Sequence, residues 1–121
     1  MSNYHEPVEE LQQQTRDFTR SLNCIKEELE AVDWYQQRAS TTQDPDLKAV
    51  IEHNRDEEIE HACMVLEWLR RNMPAWDEQL RTYLFTSAPI TEIEEVPGES
   101  DQTSPESEGS KSGSLNIGRL R

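Results

Sequence analysis

Glu58 and His61 lie three positions apart in the segment HNRDEEIEHACMVLEWLRR (53–71). Around them Leu47, Ile51, Asn54, Glu58, His61, Val65 and Trp68 are spaced alternately by four and three, so all share one stripe of a helix. A carboxylate and an imidazole in the middle of a stripe that should be buried cost free energy unless something compensates. A divalent metal would compensate. An intrahelical Glu–His pair is the plainer alternative, and Glu-x-x-His by itself is a common coincidence.

A second stripe of the same period lies upstream: Val8, Leu11, Thr15, Phe18, Leu22, Ile25, Leu29 and Val32, with Glu28 at its edge beside Leu29. One Glu on one helix and a Glu-x-x-His on the next make half the ligand set of a di-iron carboxylate bundle. Two antiparallel copies would bring four carboxylates and two imidazoles around a pair of ions. Hard oxygen donors with one imidazole per metal suit iron in both oxidation states.

Other residue types near this set have weaker claims. Glu27 and Glu30 flank Glu28 but point away from the stripe, as a solvated acidic face would. Trp34 and Tyr35 follow one to two turns later, where packing is the usual role, although an aromatic near an oxygen-activating iron can also carry electrons. Asn54, one turn before Glu58, is placed to hydrogen-bond behind the ligands. His5 and His53 have no partner spacing and read as surface residues. Cys24 and Cys63 lack zinc or redox spacing and read as small buried hydrophobes in a reducing cytosol.

The elements that must position these residues are helical. A first helix is expected from about Pro7 to about Arg38, with Glu6, Glu9 and Glu10 favouring its positive end. Ser40–Gln43 reads as a short loop, and Asp44-Pro45 as the N-cap and first residue of a second helix ending at Arg70 and Arg71. Pro74 opens a shorter third helix with Trp76, Leu80, Tyr83 and Leu84 on one face. The fold expected for residues 1–90 is all-α: an antiparallel two-helix hairpin plus the short helix. A hairpin has no closed core, so association with further chains is expected.

The 121 residues are only 33% hydrophobic and carry a net charge of −13, too polar to be packed throughout. The acidity argues against binding nucleic acid, which needs clustered Lys and Arg, and fits a protein that attracts cations. No segment approaches the length of a membrane span, and the polar start MSNYHEPVEE reads as no secretory signal. Residues 91–113 read as an acidic, disordered linker, rich in Glu, Ser, Pro and Gly. The final SLNIGRLR (114–121) turns apolar and basic, the composition of a docking peptide on a tether.

EELEAVDWYQQR (27–38), HNRDEEIEHACMVLEWLRR (53–71) and LRTYLFTSAPI (80–90) closely resemble the encapsulated ferritins, the encapsulin-associated ferritin-like proteins. The C-terminal SLNIGRLR resembles the cargo-loading peptide that docks such proteins inside an encapsulin shell. The resemblance implies a ferroxidase, with oxygen taking the electrons, built from dimers that close a ferritin-like four-helix bundle around two iron ions. It implies that five dimers form an open ring, a decamer, and that mineral is stored in the shell. Glu28, Glu58 and His61 match the family's iron ligands. Glu27, Glu30 and Trp34 match its route for incoming metal, and Tyr35 lies beside the site; other divalent ions are expected to bind there too. The implied location is the cytoplasm, inside the encapsulin nanocompartment. A non-catalytic helical adaptor or cargo protein is the alternative, which would leave Glu58 and His61 unexplained. Cys63 has no assigned role.

Overall fold

The computed structural model describes residues 4–94; the expected linker (91–113) beyond residue 94 and the expected docking peptide 114–121 lie outside the described residues. Among the described residues the regular elements are all helical and there is no strand. They are α1 (Gln13–Thr41), α2 (Pro45–Asn72) and α3 (Pro74–Tyr83), with short 3-10 turns at Val8–Glu10 and Ile90–Glu92. The chain divides into two units, with the boundary between Pro74 and Ala75.

α1 begins later than the sequence suggests. Pro7 leads into a 3-10 turn rather than a helix, and Leu11 and Gln12 are extended. The break lets Leu11 turn inward, half-buried, while Val8–Glu10 stay exposed. Arg16 ties the turn to the helix by donating to the Val8 carbonyl at 2.6 Å. The other end runs past Arg38, because Thr41 and Thr42 donate their hydroxyls back to the Arg38 carbonyl. Both threonines thus satisfy a helix-end acceptor that a loop would have left to water.

Asp44 caps α2 as its residue type predicts: its carboxylate accepts from the Leu47 amide at 2.8 Å, and Pro45 takes the first turn. Arg70 and Arg71 occupy the last turn. Met73 is extended before Pro74, which ends α2 and starts α3.

The first unit is an antiparallel hairpin. Gln36 meets Arg55, Glu28 meets His61, and Phe18 meets Trp68, so partners climb α2 as positions descend α1. Phe18 and Trp68 pack edge-to-face with ring centroids 5.8 Å apart, far from the loop.

The stripe that packs within the hairpin is not the one spacing alone selects. On α1 it runs through Phe18, Ser21, Ile25, Glu28, Val32, Tyr35 and Ala39, all buried or half-buried, while Leu22 and Leu29 are exposed. Glu28 therefore sits in the seam itself rather than at its edge. On α2 the seam runs through Ile51, Arg55, Glu58, Ala62, Val65 and Leu69, with Leu69 fully buried. Leu47, Val50, Met64 and Trp68 remain exposed on the adjoining stripe. Cys24 and Cys63 are free and exposed, not buried, because each sits one residue outside these seams, beside Ile25 and Ala62.

Within the second unit, Arg81 pairs with Asp77 at 2.9 Å and the Thr82 hydroxyl donates to the Glu78 carbonyl, both one turn apart on α3. Phe85, just beyond α3, is fully exposed and has φ of 62°.

Candidate metal centre

Glu28 enters the centre from the middle of α1, and Glu58 and His61 from the middle of α2. The hairpin brings them together because Glu28 and Glu58 both belong to the packed stripes, while His61 is one turn beyond Glu58 on the flank. His61 Nδ1 lies 3.3 Å from Glu58 Oε1 and 3.5 Å from Glu28 Oε1. One potential ligand atom from each of the three residues lies within 4.8 Å of the others. Both carboxylate side chains are 25% exposed, and the imidazole is 45% exposed. The centre is thus walled by the helices on one side and open on the other.

The three groups perturb one another. A hydrogen bond between the carboxyls holds Glu28 above the ordinary carboxylate range, and the same bond holds the accepting Glu58 below it. His61 is raised above its ordinary value, chiefly by its hydrogen bond with Glu58 and also by the charges of both carboxylates. The two carboxyls thus shift in opposite directions, as expected for two acids forced into proximity, and both favour a positive charge on His61. A divalent cation would replace that positive charge, and two carboxylates with one imidazole are donors that fit a first-row ion such as Fe²⁺.

His61 also belongs to the exposed stripe. Leu47, Val50, Asn54, Glu57, His61, Met64 and Trp68 alternate spacings of three and four along α2. Leu47, Val50 and Met64 are each more than half exposed, at 52%, 55% and 63%. The open edge of the centre is thus flanked above and below by uncovered apolar side chains.

The remaining residues singled out from sequence are not gathered into this group. Glu27, Glu30 and Trp34 are exposed and follow one another at spacings of three and four along α1. Tyr35 lies on the seam one heptad from Glu28, about 10 Å along the helix, with the Arg38 guanidinium over its ring at 5.4 Å. Asn54 is half-buried. His53 is exposed and reaches Glu57 at 3.6 Å, as a surface pair. Sequence spacing passed over Arg55, a half-buried cation whose guanidinium donates across the hairpin to Gln36 Oε1 at 2.7 Å. Its signal was there in retrospect: a charge three residues before Glu58, on the stripe that passes through Ala62 and Leu69.

Residues 3–87 match the EncFtn-like family model. The chain is 65% identical over 101 residues to a ferritin-like protein of Thermotoga maritima, covering 83% of this chain and 89% of that one. It is 50% identical over 121 residues to an encapsulated ferritin-like protein of Rhodospirillum rubrum, covering 97% and 86%. It is 30% identical over 111 residues to an encapsulin nanocompartment cargo protein of Myxococcus xanthus, covering 87% and 85%. The crystal structure of a Nitrosomonas europaea protein, 54% identical, superimposes with a TM-score of 0.70 over 74% of this chain and 98% of that one. The hairpin, its carboxylate–histidine centre and these likenesses agree: the chain belongs to the EncFtn-like family, that of the encapsulated ferritins which its sequence resembles.

Proposed function

We propose that the protein is a ferroxidase that oxidises Fe²⁺ to Fe³⁺ and supplies the product for mineral storage inside an encapsulin compartment. The observation that carries this is the convergence of Glu28, Glu58 and His61 on the open edge of the hairpin, in line with an uncovered apolar stripe. Three donors on one wall do not surround an ion. A second copy related by a two-fold axis would cover the apolar stripe and add the same three donors from the opposite side. The completed set of four carboxylates and two imidazoles would hold two Fe²⁺ ions as substrate.

The chemistry follows from charge. Anionic oxygen donors stabilise the higher charge of Fe³⁺ more than that of Fe²⁺, so binding here favours loss of an electron to oxygen. Glu58 and Glu28 supply that anionic field when both are ionised. His61 presents Nδ1 towards the carboxylates. Glu27, Glu30 and Trp34 form an exposed ladder on α1 that would receive arriving cations, with Tyr35 held on the seam nearby.

The relatives' names supply the setting: one is an encapsulated ferritin-like protein and another an encapsulin cargo protein. For this chain we assign docking to Ser114–Arg121, a cytoplasmic location within the shell, and assembly of dimers into a decameric ring. A non-catalytic adaptor or cargo protein is equally consistent with both names. Purified protein mixed with Fe²⁺ in air separates the two. Oxidation well above the protein-free rate supports the ferroxidase, and a rate equal to the blank leaves only the cargo role.

A further inference from the structure

We propose that Arg55 and Gln36 act as a positioning pair that sets the rotation of α2 against α1 and so presents Glu58 and His61 to Glu28. The inference rests on Glu28, Glu58 and His61 being the metal centre.

Among the described residues, polar contacts cross the hairpin at two levels. One is the centre itself, with Glu28 Oε1 at 3.5 Å from His61 Nδ1. The other is Arg55 Nη1 donating to Gln36 Oε1 at 2.7 Å. The second lies between the centre and the loop, with Arg55 less than one turn before Glu58. The guanidinium is itself fixed on its far side, since Nε and Nη2 both lie 3.0 Å from Asp56 Oδ1. Only 24% of the Arg55 side chain is exposed, although Gln36 and Asp56, which hold its guanidinium, are themselves exposed.

The three-residue connection Thr42–Asp44 limits sliding of one helix along the other, but it does not stop α2 turning about its own axis. Apolar packing resists such turning weakly here. Ile51, Glu58 and Val65 lie on the packed stripe directly beside Val50, Glu57 and Met64 of the exposed one, so apolar residues stand on both. A rotation that brought Leu47 and Met64 inward would bury apolar surface that is now exposed while carrying His61 past Glu28. A directional hydrogen bond from a planar guanidinium opposes this rotation as apolar contact cannot. Polar groups within helical seams have this role of specifying register in coiled coils.

The test uses full-length protein and Co²⁺ as a visible-absorbing probe. Arg55→Met keeps the length and apolar body of the side chain, and Gln36→Leu removes the acceptor without touching the cation. The expected result is Co²⁺ affinity about tenfold weaker in each, with shifted absorption bands and helix content retained. The double variant should be no weaker than either single one, because both remove the same bond. Arg55→Lys should recover part of the affinity. Wild-type affinity and bands in both Gln36→Leu and Arg55→Met would overturn the positioning role while leaving the centre intact. A wild-type protein that binds Co²⁺ no better than Glu58→Ala would instead overturn the centre, and the positioning role with it. Gln36→Leu keeps the question answerable if Arg55→Met does not fold.

Discussion

Glu28 on α1 and His61 on α2 stand 3.5 Å apart across the hairpin, although 33 positions separate them in the chain. Neither residue packs as its stripe suggests in isolation: Glu28 enters the seam, and His61 leaves it for an exposed flank. That pairing places the centre at the boundary between the packed seam and the exposed apolar stripe. Metal binding and association of chains are therefore expected to be coupled.

Divalent metal should promote assembly. Four carboxylates meeting across an interface repel one another, and an ion that binds only the paired state shifts the equilibrium towards it. At micromolar protein and neutral pH, Fe²⁺ under nitrogen should raise the mass seen by light scattering, and a chelator should lower it again. An unchanged mass distribution would count against a centre shared between subunits.

The exposed stripe should be needed for the same step. Met64 is one turn from His61 and 63% exposed, so replacing it by Asp costs the separate hairpin little. In a covered interface the unpaired carboxylate would cost several kcal/mol. Met64→Asp should retain its helical circular dichroism and lose metal-dependent assembly. Assembly at the wild-type metal concentration would show that this stripe stays uncovered.

Glu67 should contribute to stability in acid. Hydrogen bonds from Arg70, then Arg71, hold its carboxylate down to about 2, with Arg70 Nε at 2.8 Å and Arg71 Nε at 2.7 Å. A folded-state value below the unfolded one contributes stability above the ordinary carboxylate range near 4.5, and that contribution is lost as pH falls from there through about 2. Glu67→Gln should therefore be less stable than wild type at pH 6, with the gap narrowing below pH ~4.5. The exposed cluster makes the effect small. Urea unfolding at the two pH values measures it, and a constant gap would contradict the assignment.

The C-terminal peptide should act only in docking. Deleting Ser114–Arg121 should abolish co-purification with a co-expressed encapsulin shell while leaving Fe²⁺ oxidation by the free protein unchanged. Normal loading of the truncated chain would move the docking site into the helical units.

The Asp44-Pro45 start, the arginines at the end of α2 and Pro74 at the head of α3 were legible in the sequence because capping chemistry is local. The choice between neighbouring stripes was not. Ile51, Glu58 and Val65 fit either stripe of α2, and spacing favoured the one bearing Leu47 and Trp68, the larger apolar side chains. Packing against α1 instead uses Ala62 and Leu69, and leaves much of that surface exposed. A heptad pattern read from one chain cannot separate residues packed within it from residues awaiting another copy. The break at Leu11 was hidden for a similar reason: Pro7 and its acidic neighbours suit the start of an α-helix and of a 3-10 turn equally well. The meeting of Glu28, Glu58 and His61 was nonetheless legible, since either choice of stripe brings two carboxylates and a nearby imidazole to the middle of the hairpin.

The initial rate of aerobic Fe²⁺ oxidation by Glu58→Ala, beside wild type at equal concentration and with helix content verified, tests the centre most directly. Loss of a ligand should exceed the 10–100-fold cost typical of residues behind the ligands, so a fall of at least about 100-fold is expected, towards the protein-free rate. A Glu58→Ala rate equal to wild type would show that iron is oxidised elsewhere, and that Glu28, Glu58 and His61 are only an ion-paired cluster within the hairpin.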